Sequence, residues 1–362
     1  MSVERLVTKN FRNISDGSIS FDPECNFLIG ENGSGKSSLL EALFFVGHGK
    51  SFRTNKSENL VVHDEDNFAL NIKDFNNGSF GISKDFSSNQ TVIKINGERN
   101  SRLSELAKNI AIQVITPESF RLFFGGPKER RRFVDLGLFH VEHQFSKSWS
   151  EFNRVLKQRN ACLRNHVDDA TLNYWSEVFC HHSDIISEYR NEYFELLTSE
   201  LIIWTKILLP EIHSLIKVQY LRGWKQDVSL SKVISSNTTK ERALGYTLNG
   251  THKFDIRFLL NRRSIESQLS RGQQKLFLLA LTFAQAKLIE KVKRLKPILL
   301  IDDVGAELDF QSRSMLQDSI KMLNCQVIIT AIDQVAVEPL VPSNEEYKMF
   351  HVEHGVISAM NK

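Results

Sequence analysis

The chain has 362 residues, of which 41% are hydrophobic and 25% are charged, and its formal net charge is +3. This length allows two domains, or one large domain that carries an insertion, and the composition excludes disordered and fibrous classes. No apolar run is long enough to span a bilayer, and the first residues lack the apolar core of a signal peptide.

The four cysteines are scattered along the chain and form no Cys-x-x-Cys pair. Their spacing argues against a zinc site and against a disulfide framework. Unpaired cysteines are typical of proteins in a reducing compartment. The sequence therefore predicts a cytoplasmic protein.

Apolar and polar residues alternate through residues 3–30 as they would in strands. Two strands are predicted here, at Leu6-Val7 and at Ile19–Phe21. A third apolar run, Phe27–Ile29, leads directly into a glycine-rich segment. We expect this third run to be a buried strand.

The glycine-rich segment Gly30-Glu-Asn-Gly-Ser-Gly-Lys-Ser37 fits the pattern G-x-x-x-x-G-K-[ST] completely. A predicted helix, Ser38–Phe45, follows it, so the strand, loop and helix of a phosphate-binding P-loop are all present. Backbone amides of such a loop point at phosphates, Lys36 would reach the terminal phosphates, and the Ser37 hydroxyl would hold Mg²⁺. A glycine-rich turn that matches by chance is the alternative, which this context disfavours.

Residues 60–100 contain several short apolar runs separated by turn residues. Asn76–Gly78 and Asn96-Gly97 are turn signals of the kind that join antiparallel strands. We therefore predict a β-rich layer beside the P-loop. The predicted strands are Phe68–Ile72, Ser79–Ile82 and Thr91–Ile95.

The pattern changes near Gly125-Gly126-Pro127. From about 128 to 215, apolar and aromatic residues recur at helical spacing, and strand signals return after Trp224. The sequence predicts a helical lobe at 125–221, inserted between two parts of one α/β domain at 1–124 and 222–362.

Positive charge is concentrated in residues 121–165, which we call the basic segment. It holds ten Lys and Arg residues against four acids, so it carries +6 while the rest of the chain carries −3. Such a cluster suits a phosphate backbone like that of DNA. A solvated helix face whose charges pair with acids elsewhere explains the cluster equally well. The candidate DNA contacts are Lys128, Arg130, Arg131 and Arg132.

The five residues Phe139–His143 recur letter for letter as Phe350–His354. Two histidines and a glutamate could suggest a metal site. The first copy lies among helical signals, whereas the second runs into Gly355 as a hairpin would. The side chains would then point in different directions, so we interpret the repetition as a coincidence.

A second polar turn precedes the long apolar run that begins at Leu276, which predicts a buried helix. Ser270 is a favoured N-cap residue, and Gly272 lets a ligand approach the backbone. A helix start has free N–H groups and the positive end of the helix dipole. The sequence therefore predicts an anion site here, separate from the P-loop.

The run Pro297–Ile301 is an apolar strand that ends in two acids, Asp302 and Asp303. An acid at the end of a buried strand is costly unless it faces a metal or a partner. Asp302 would hold Mg²⁺ through water, and Asp303 would polarise the attacking water as a general base. The alternative, that both acids cap the next turn, is weak beside the P-loop.

These motifs together resemble the ATPase site of the ABC superfamily. Leu269–Gln273 resembles its signature motif, with Arg271 where many members have glycine. In that superfamily the signature helix of one subunit docks on the γ-phosphate held by the P-loop of another, which implies an ATP-dependent homodimer. Glu307–Asp309 resembles the D-loop at the same interface. The implied trans-acting residues are Leu269, Ser270, Arg271, Gly272, Gln273 and Asp309.

The implied fold is α/β: an ABC-type ATPase head with a P-loop, a mixed sheet, a β-rich amino-terminal layer and an inserted helical lobe. Membrane domains of ATP-driven transporters have no counterpart in the sequence. The insertion is too short for the coiled coils of SMC proteins, and its heptad periodicity is not sustained.

Over essentially its whole length the chain resembles the RecF family of bacterial recombination and repair ATPases. The order and spacing of the matching segments, rather than any one of them, make the resemblance specific. Besides the nucleotide motifs, these segments are Lys9–Ile14, Gly47–Arg53, Ile115–Glu118, Gly126–Arg132, Leu156–Asn160 and Gly250–Lys253.

The RecF resemblance implies a weak, DNA-stimulated ATPase that uses ATP and Mg²⁺ and dimerises on DNA without reading its sequence. It would act at single-stranded gaps or junctions with RecR and RecO, help to load RecA, and serve repair, replication restart and the SOS response. The alternative is a scaffold that recruits repair partners, in which ATP only holds the dimer together.

The resemblance also assigns roles to individual residues. Arg12 and Asn13 match family positions near the nucleotide, and Gln113 is implied to be a Q-loop residue that touches metal or water. Thr251 stands where the family more often has proline, and no histidine follows Thr330, so no switch residue is predicted. Lys36 and Asp303 are the predicted catalytic residues, and Ser37, Asp302 and Gln113 the metal site. The predicted ATP contacts are Arg12, Asn13, Gly30, Glu31, Asn32, Gly33, Ser34, Gly35, Lys36, Ser37 and Ser38.

Overall fold

The structure, a computed structural model, describes residues 1–100, 102–303, 310–342 and 346–360. The chain divides into two compact units. The first unit comprises Met1–Phe120, Ile207–Leu209 and Ser270–Lys362. The second unit comprises Arg121–Lys206 and Pro210–Leu269.

Strands and helices alternate irregularly along the described residues, and none of the helices there is long and apolar enough to cross a membrane. The strands are β1 (Val3–Lys9), β2 (Gly17–Ser20), β3 (Cys25–Ile29), β4 (Asn67–Asp74), β5 (Ser79–Asp85), β6 (Gln90–Ile95), β7 (Glu98–Asn100), β8 (Ile112–Ile115), β9 (Ile216–Leu221), β10 (Asp255–Leu260), β11 (Arg263–Ser264), β12 (Ile298–Ile301), β13 (Gln326–Ala331), β14 (Tyr347–Glu353) and β15 (Val356–Ala359). The helices are α1 (Lys36–His48), α2 (Leu103–Asn109), α3 (Arg121–Phe124), α4 (Pro127–Val141), α5 (Phe145–Arg164), α6 (Asp169–Leu208), α7 (Leu230–Leu244), α8 (Arg271–Lys293), α9 (Phe310–Met322) and α10 (Gln334–Val337).

The central sheet of the first unit has the order β15-β14-β3-β13-β12-β8. Its strands from β14 to β8 are parallel, and β15 pairs antiparallel with β14 at one edge. Every residue of β3, β12 and β13 is buried, as expected for strands covered on both faces, which read as continuous apolar runs. The predicted α/β class with a mixed sheet is confirmed.

A second, antiparallel sheet of the first unit has the order β2-β1-β4-β5-β6-β7. Buried residues alternate along β4, so one face packs on the core. The three strands predicted between 60 and 100 fall within β4, β5 and β6, which confirms the β-rich layer. α1 contacts strands of both sheets, and its Leu39 and Leu43 share one buried cluster with Phe68 and Leu300.

The second unit contains α3 to α7, apart from the last two residues of α6, and a small sheet of order β11-β10-β9. The prediction that strands return after Trp224 was incomplete, because α7 comes first and buries Leu230 and Ile234 at i and i+4 on one face. This unit also extends beyond the lobe predicted at 125–221. β9 pairs with β10 from Asp255 to Leu260, so a boundary at 221 would cut a hydrogen-bonded ladder.

Two arginines are fully buried in the second unit, and each one has a charged partner. Arg159 donates to Glu241 at 2.7 Å, and Arg190 donates to both oxygens of Asp135. Arg190 also donates to the carbonyl and the hydroxyl of Thr251, at 2.7 Å each. Buried charges need such partners because desolvation is costly. Thr251 therefore faces the interior of this unit.

Candidate nucleotide-binding site

The predicted P-loop connects β3 to α1 and lines a cleft of about 510 Å³ in the first unit. Gly33 and Gly35 have φ angles of +83° and +117°, which side chains rarely adopt, so the curl of the loop depends on glycine. Ser34 lines the cleft, while its hydroxyl is buried and has no hydrogen-bond partner among the described residues. The predicted ATP and metal residues that line this cleft are Arg12, Asn13, Asn32, Gly33, Ser34, Gly35, Lys36, Ser37, Ser38, Asp302 and Asp303.

Lys36 lies at the base of the cleft and is buried. Its ammonium donates to the carbonyl oxygens of Gly30 at 2.6 Å and Glu31 at 2.9 Å. Burial lowers the pKa of Lys36, while the nearby carboxylates of Asp302 and Asp303 raise it. Gly30 and Glu31 are not among the residues that line the cleft. Their carbonyl oxygens instead orient the Lys36 ammonium.

The Ser37 hydroxyl donates to Asp302 Oδ1 at 3.0 Å, although 265 positions separate the two residues. Thr330, at the end of β13, donates to the same oxygen at 2.7 Å. Burial raises the pKa of Asp302, and the two hydrogen bonds oppose this effect. A buried carboxylate beside a serine hydroxyl fits Mg²⁺, which prefers oxygen ligands and would offset the desolvated charge.

Asp303 has a φ of +54°, an uncommon backbone conformation for a residue other than glycine. Its N–H donates to the hydroxyl of Thr330 at 2.7 Å. Its Oδ1 is buried and finds no hydrogen-bond partner within the described ranges. Asp303 thus lines the cleft wall with one buried carboxylate oxygen whose capacity to accept a hydrogen bond is unused by the described residues.

Thr330 links both acids of this site, although its only distinction in the sequence is that no histidine follows it. One hydroxyl accepts from the Asp303 N–H and donates to Asp302, so it fixes the two residues relative to each other. Thr330 itself is fully buried. An isolated threonine after an apolar run gives no sequence signal of this role.

Glu41 is a second residue that sequence analysis missed. It lies in α1 and is fully buried. Its two carboxylate oxygens accept a bidentate pair of hydrogen bonds from Arg12, at 2.9 and 2.8 Å. The Ser51 hydroxyl also donates to it, and Arg53 lies 3.7 Å away. Arg12 and Arg53 line the cleft, so one buried acid holds two cations at its wall. A glutamate inside an otherwise apolar helix was the signal that could have identified it.

Asn13 connects the loop after β1 to the P-loop. Its Nδ2 donates to the carbonyl of Gly33 at 3.0 Å, and its Oδ1 accepts from the Ser38 hydroxyl at 2.7 Å. The prediction that Arg12 and Asn13 lie near the nucleotide motif agrees with this geometry. Asn13 therefore holds the curvature of the loop as well as lining the cleft.

Gln113 does not reach the cleft, so the structure does not support its predicted role beside the metal. It is buried in β8 opposite Leu299, several residues before the carboxyl end of the sheet where Asp302 lies. Sites of parallel sheets form beyond the carboxyl ends of the strands, which explains the difference. Pro117 and Glu118, just beyond β8, line the cleft instead.

The predicted signature segment begins α8. Ser270 is its N-cap, and the reciprocal hydrogen bonds with Gln273 form a capping box. Ser270, Arg271 and Gly272 are exposed, and a Cβ at Gly272 would meet no atom within 4 Å. Leu269 before them is buried. None of these residues lines the P-loop cleft of the same chain, and the predicted D-loop residue Asp309 lies outside the described residues.

The candidate DNA contacts on α4 separate into two pairs. Lys128 and Arg132 are exposed, one turn apart. Arg130 forms a bidentate pair with Asp255, both bonds at 2.9 Å, and Arg131 donates to the carbonyl of Phe254 at 3.2 Å. Arg130 thus has its guanidinium engaged by Asp255, and Arg131 uses one donor inside the unit, so these two predicted contacts are less available to DNA than Lys128 and Arg132.

We predict that Thr330→Val lowers the free energy of unfolding by about 1–3 kcal/mol, since it strands the buried N–H of Asp303 and removes a donor to Asp302. Thr282→Val is the matched control. Thr282 is also buried, but its hydroxyl only donates to the Leu278 carbonyl of its own helix. It should cost less than about 1 kcal/mol. Urea denaturation measures both, and equal costs would contradict the linking role of Thr330.

Comparison with known proteins identifies the family. The family model described as the RecF/RecN/SMC N terminal domain matches residues 2–358. The DNA replication and repair protein RecF of Colwellia psychrerythraea is 57% identical over 371 residues, covering 100% of this chain and 98% of that protein. RecF of Haemophilus influenzae is 39% identical over 364 residues, and the match covers 100% of this chain and 100% of that protein.

Solved structures agree in fold. A structure described as the recombination mediator protein RecF-ATP in the RecFOR pathway is 23% identical, has a TM-score of 0.86, and covers 99% of this chain and 98% of its own. An SMC head bound to the C-winged helix domain of ScpA is 18% identical with a TM-score of 0.58, covering 99% of this chain and 97% of its own. The chain therefore belongs to the RecF family of DNA replication and repair proteins, within the group that shares the RecF/RecN/SMC amino-terminal domain.

Proposed function

We propose that this chain binds ATP with Mg²⁺ in the P-loop cleft, dimerises on it, hydrolyses it slowly, and uses this cycle to control its residence on DNA. The observation that carries the proposal is the hydrogen bond between Ser37 and Asp302, which brings the P-loop to the acidic end of β12. A solved RecF structure that is 23% identical to this chain is described as RecF-ATP, which is consistent with ATP binding in this cleft.

The P-loop residues would bind the triphosphate. The P-loop glycines line the cleft, where their backbone amides would bind phosphate oxygens, and Lys36 can exchange the carbonyls of Gly30 and Glu31 for the same oxygens. Arg12 and Arg53 add positive charge at the wall, oriented by the buried Glu41. Ser37 and Asp302 would hold Mg²⁺, which supplies charge neutralisation of the phosphates when bound.

Asp303 is the residue that would position the attacking water. Asp303 lines the cleft wall, one of its carboxylate oxygens has no partner among the described residues, and a hydrogen bond to Thr330 holds its backbone. A base must lie within hydrogen-bond reach of the proton that it accepts, and the position of Asp303 beside the P-loop residues of the cleft suits this role. This geometry favours real hydrolysis over a scaffold in which ATP only holds the dimer.

The signature residues would serve the nucleotide of a second copy. Ser270 and Gly272 are exposed at the start of α8 and are not part of the cleft of their own chain. A helix start with exposed N–H groups suits an anion, and in a two-fold dimer each chain would complete the site of the other. Asp309 is proposed to cross the same interface.

DNA would contact the exposed cations of the basic segment through its phosphates. On α5 the exposed residues are Ser150, Gln158 and four cations, with no acid among them. Within the described parts of the chain these cations form no ion pair, whereas Arg130, Arg131 and Arg159 are used internally. Such a face suits a phosphate backbone and carries no base-reading geometry. The proposed contacts are Lys128, Arg132, Lys147, Arg154, Lys157 and Arg164.

The proposed pathway is loading of RecA at single-stranded gaps or junctions, with RecR and RecO as partners, in the cytoplasm. Membership of the RecF family of DNA replication and repair proteins supports the general role. The solved RecF relative is described within the RecFOR pathway, which supports these partners.

We expect Lys36→Met and Asp303→Asn to fail at different steps. Lys36→Met removes the charge aimed at the phosphates and should abolish ATP binding. Asp303→Asn keeps the metal ligand but removes the base, so ATP should bind with hydrolysis at least about a hundredfold slower. Calorimetry and phosphate release measure the two steps. Normal hydrolysis by Asp303→Asn would contradict the catalytic role of Asp303. Normal ATP binding by Lys36→Met would contradict the assignment of the cleft as the nucleotide site.

Trans completion of the site predicts complementation between two inactive variants. Ser270→Arg should bind ATP as a monomer but not dimerise, because a bulky cation blocks the partner's site. Mixed with Lys36→Met, it should regain dimers, since one of the two composite sites is intact. Light scattering with ATP measures this. Ser229→Arg, at the exposed N-cap of α7, is the control and should dimerise normally. Full dimerisation of Ser270→Arg alone would refute the trans arrangement.

Salt dependence separates DNA contacts from structural cations. Replacing both Arg154 and Lys157 with alanine should weaken DNA binding for all sequences. It should also flatten the slope of log K against log salt by about 0.9 for each lost contact. Replacing both Arg130 and Arg131 removes the same charge but should lower the melting temperature and leave the slope unchanged, because Asp255 loses its partner. An unchanged slope in the first variant would exclude α5 from the DNA interface.

A further inference from the structure

The carboxyl-terminal hairpin of the first unit ends in a two-residue turn beside the P-loop. β14 and β15 pair up to Glu353 and Val356, which leaves His354 and Gly355 as the turn. Both turn residues have positive φ, +47° and +82°, as the tight turns that suit twisted hairpins require. This turn contains the end of the repeated five-residue sequence, to which the proposed function gives no role.

Main-chain hydrogen bonds join the turn to two loops that line the cleft. The N–H of Gly355 donates to the carbonyl of Ser34 in the P-loop at 2.8 Å. The N–H of Ser15 donates to the carbonyl of Gly355 at 3.0 Å. Ser15 follows Arg12 and Asn13 in the loop after β1, so one residue of the hairpin connects that loop with the P-loop.

The backbones approach so closely that glycine is required on both sides. A Cβ at Gly355 would lie 1.9 Å from the carbonyl oxygen of Asn13. A Cβ at Gly30 would lie 2.1 Å from the carbonyl oxygen of Val352. Neither obstacle is a side chain that can rotate away. The first glycine of the P-loop is therefore needed for packing on the hairpin as well as for the shape of the loop.

We infer that the hairpin turn sets the geometry of the nucleotide site, with Gly355 as a positioning residue. Any shift of Asn13 is transmitted to Gly33 and Ser38, because the Asn13 amide bonds to both. Any shift of Ser34 moves a residue that lines the cleft between Gly33 and Gly35 of the P-loop. The inference rests on the proposed function of the cleft as a nucleotide site.

The turn Asn96-Gly97 between β6 and β7 is an internal control. Its two residues have φ angles of +51° and +84°, and the strands pair up to Ile95 and Glu98, so the turn has the same length and conformation. A Cβ at Gly97 would meet no atom within 4 Å. Alanine at Gly97 and at Gly355 thus suffers the same backbone strain, while only Gly355→Ala displaces a neighbouring loop.

The experiment compares Gly355→Ala with Gly97→Ala. The Kd for a non-hydrolysable ATP analogue with Mg²⁺ is measured by calorimetry, well below both melting temperatures. Both variants should melt at lower temperature than the parent chain. Gly97→Ala should keep the parent Kd, whereas Gly355→Ala should bind at least tenfold more weakly, equivalent to about 1.4 kcal/mol. Equal Kd values in the two variants would overturn the inference.

A second pair of variants covers the case in which Gly355→Ala does not fold. Val352→Ala shortens a buried side chain whose Cγ1 lies 3.7 Å from the position of a Cβ at Gly35. Phe350→Leu changes a buried residue of the same strand that packs on Phe21. Val352→Ala should weaken binding severalfold and Phe350→Leu should not, at comparable melting temperatures. The same Kd for both would also overturn the inference.

Lys36→Met distinguishes this inference from the assignment of the cleft. If Lys36→Met binds the analogue normally, the nucleotide site itself is wrong. If Lys36→Met abolishes binding while Gly355→Ala and Val352→Ala bind like the parent chain, only the positioning role of the hairpin fails.

Discussion

A buried carboxylate, Asp302, is the constraint on which the rest of the site depends. It directly follows β12 and accepts hydrogen bonds from hydroxyls of α1 and β13. A desolvated carboxylate without such donors would be strongly unfavourable, so the three elements must meet at the same edge of the sheet. The parallel order β3-β13-β12 achieves this, because the carboxyl ends of adjacent parallel strands lie side by side.

The same physical principle organises the walls of the cleft. Glu41 is an acid inside a helix that is otherwise buried and apolar, and it is tolerable only because Arg12 and Ser51 donate to it. The consequence is geometric: a cation that would otherwise sample many rotamers is held at one place on the wall. Asp303 shows the converse arrangement, since its backbone is fixed while one carboxylate oxygen keeps no partner among the described residues.

In the second unit, ion pairs neutralise several of the cations that contribute to the positive charge of the sequence. Arg159 pairs with Glu241, Arg190 with Asp135, and Arg130 with Asp255. These guanidinium groups contribute to the fold of the unit, and Arg130 and Arg159 belong to the basic segment counted from sequence. The cations that remain exposed on α5 have no exposed acid beside them on that helix. They define a smaller and more uniformly positive surface than the charge count of the whole basic segment indicated. A count of charged residues therefore identifies a phosphate-binding face only after the buried and paired cations have been set aside.

The sequence by itself determined the local features: the P-loop, the acidic end of β12, the N-cap at Ser270, the β-rich layer and the hairpin after Phe350. Each of these depends on residues close together in the chain, where glycine conformation, capping and periodicity act directly. Only the tertiary structure decided the features that depend on distant segments. It placed Gln113 within β8 rather than among the residues that line the cleft, and it joined β9 to β10 across the predicted boundary at 221. It also showed that Arg130 is paired internally while Lys128 is exposed. It also brought Thr330, Glu41 and Gly355 to the site, because strand order and the pairing of buried charges are set by packing between segments that no local pattern connects.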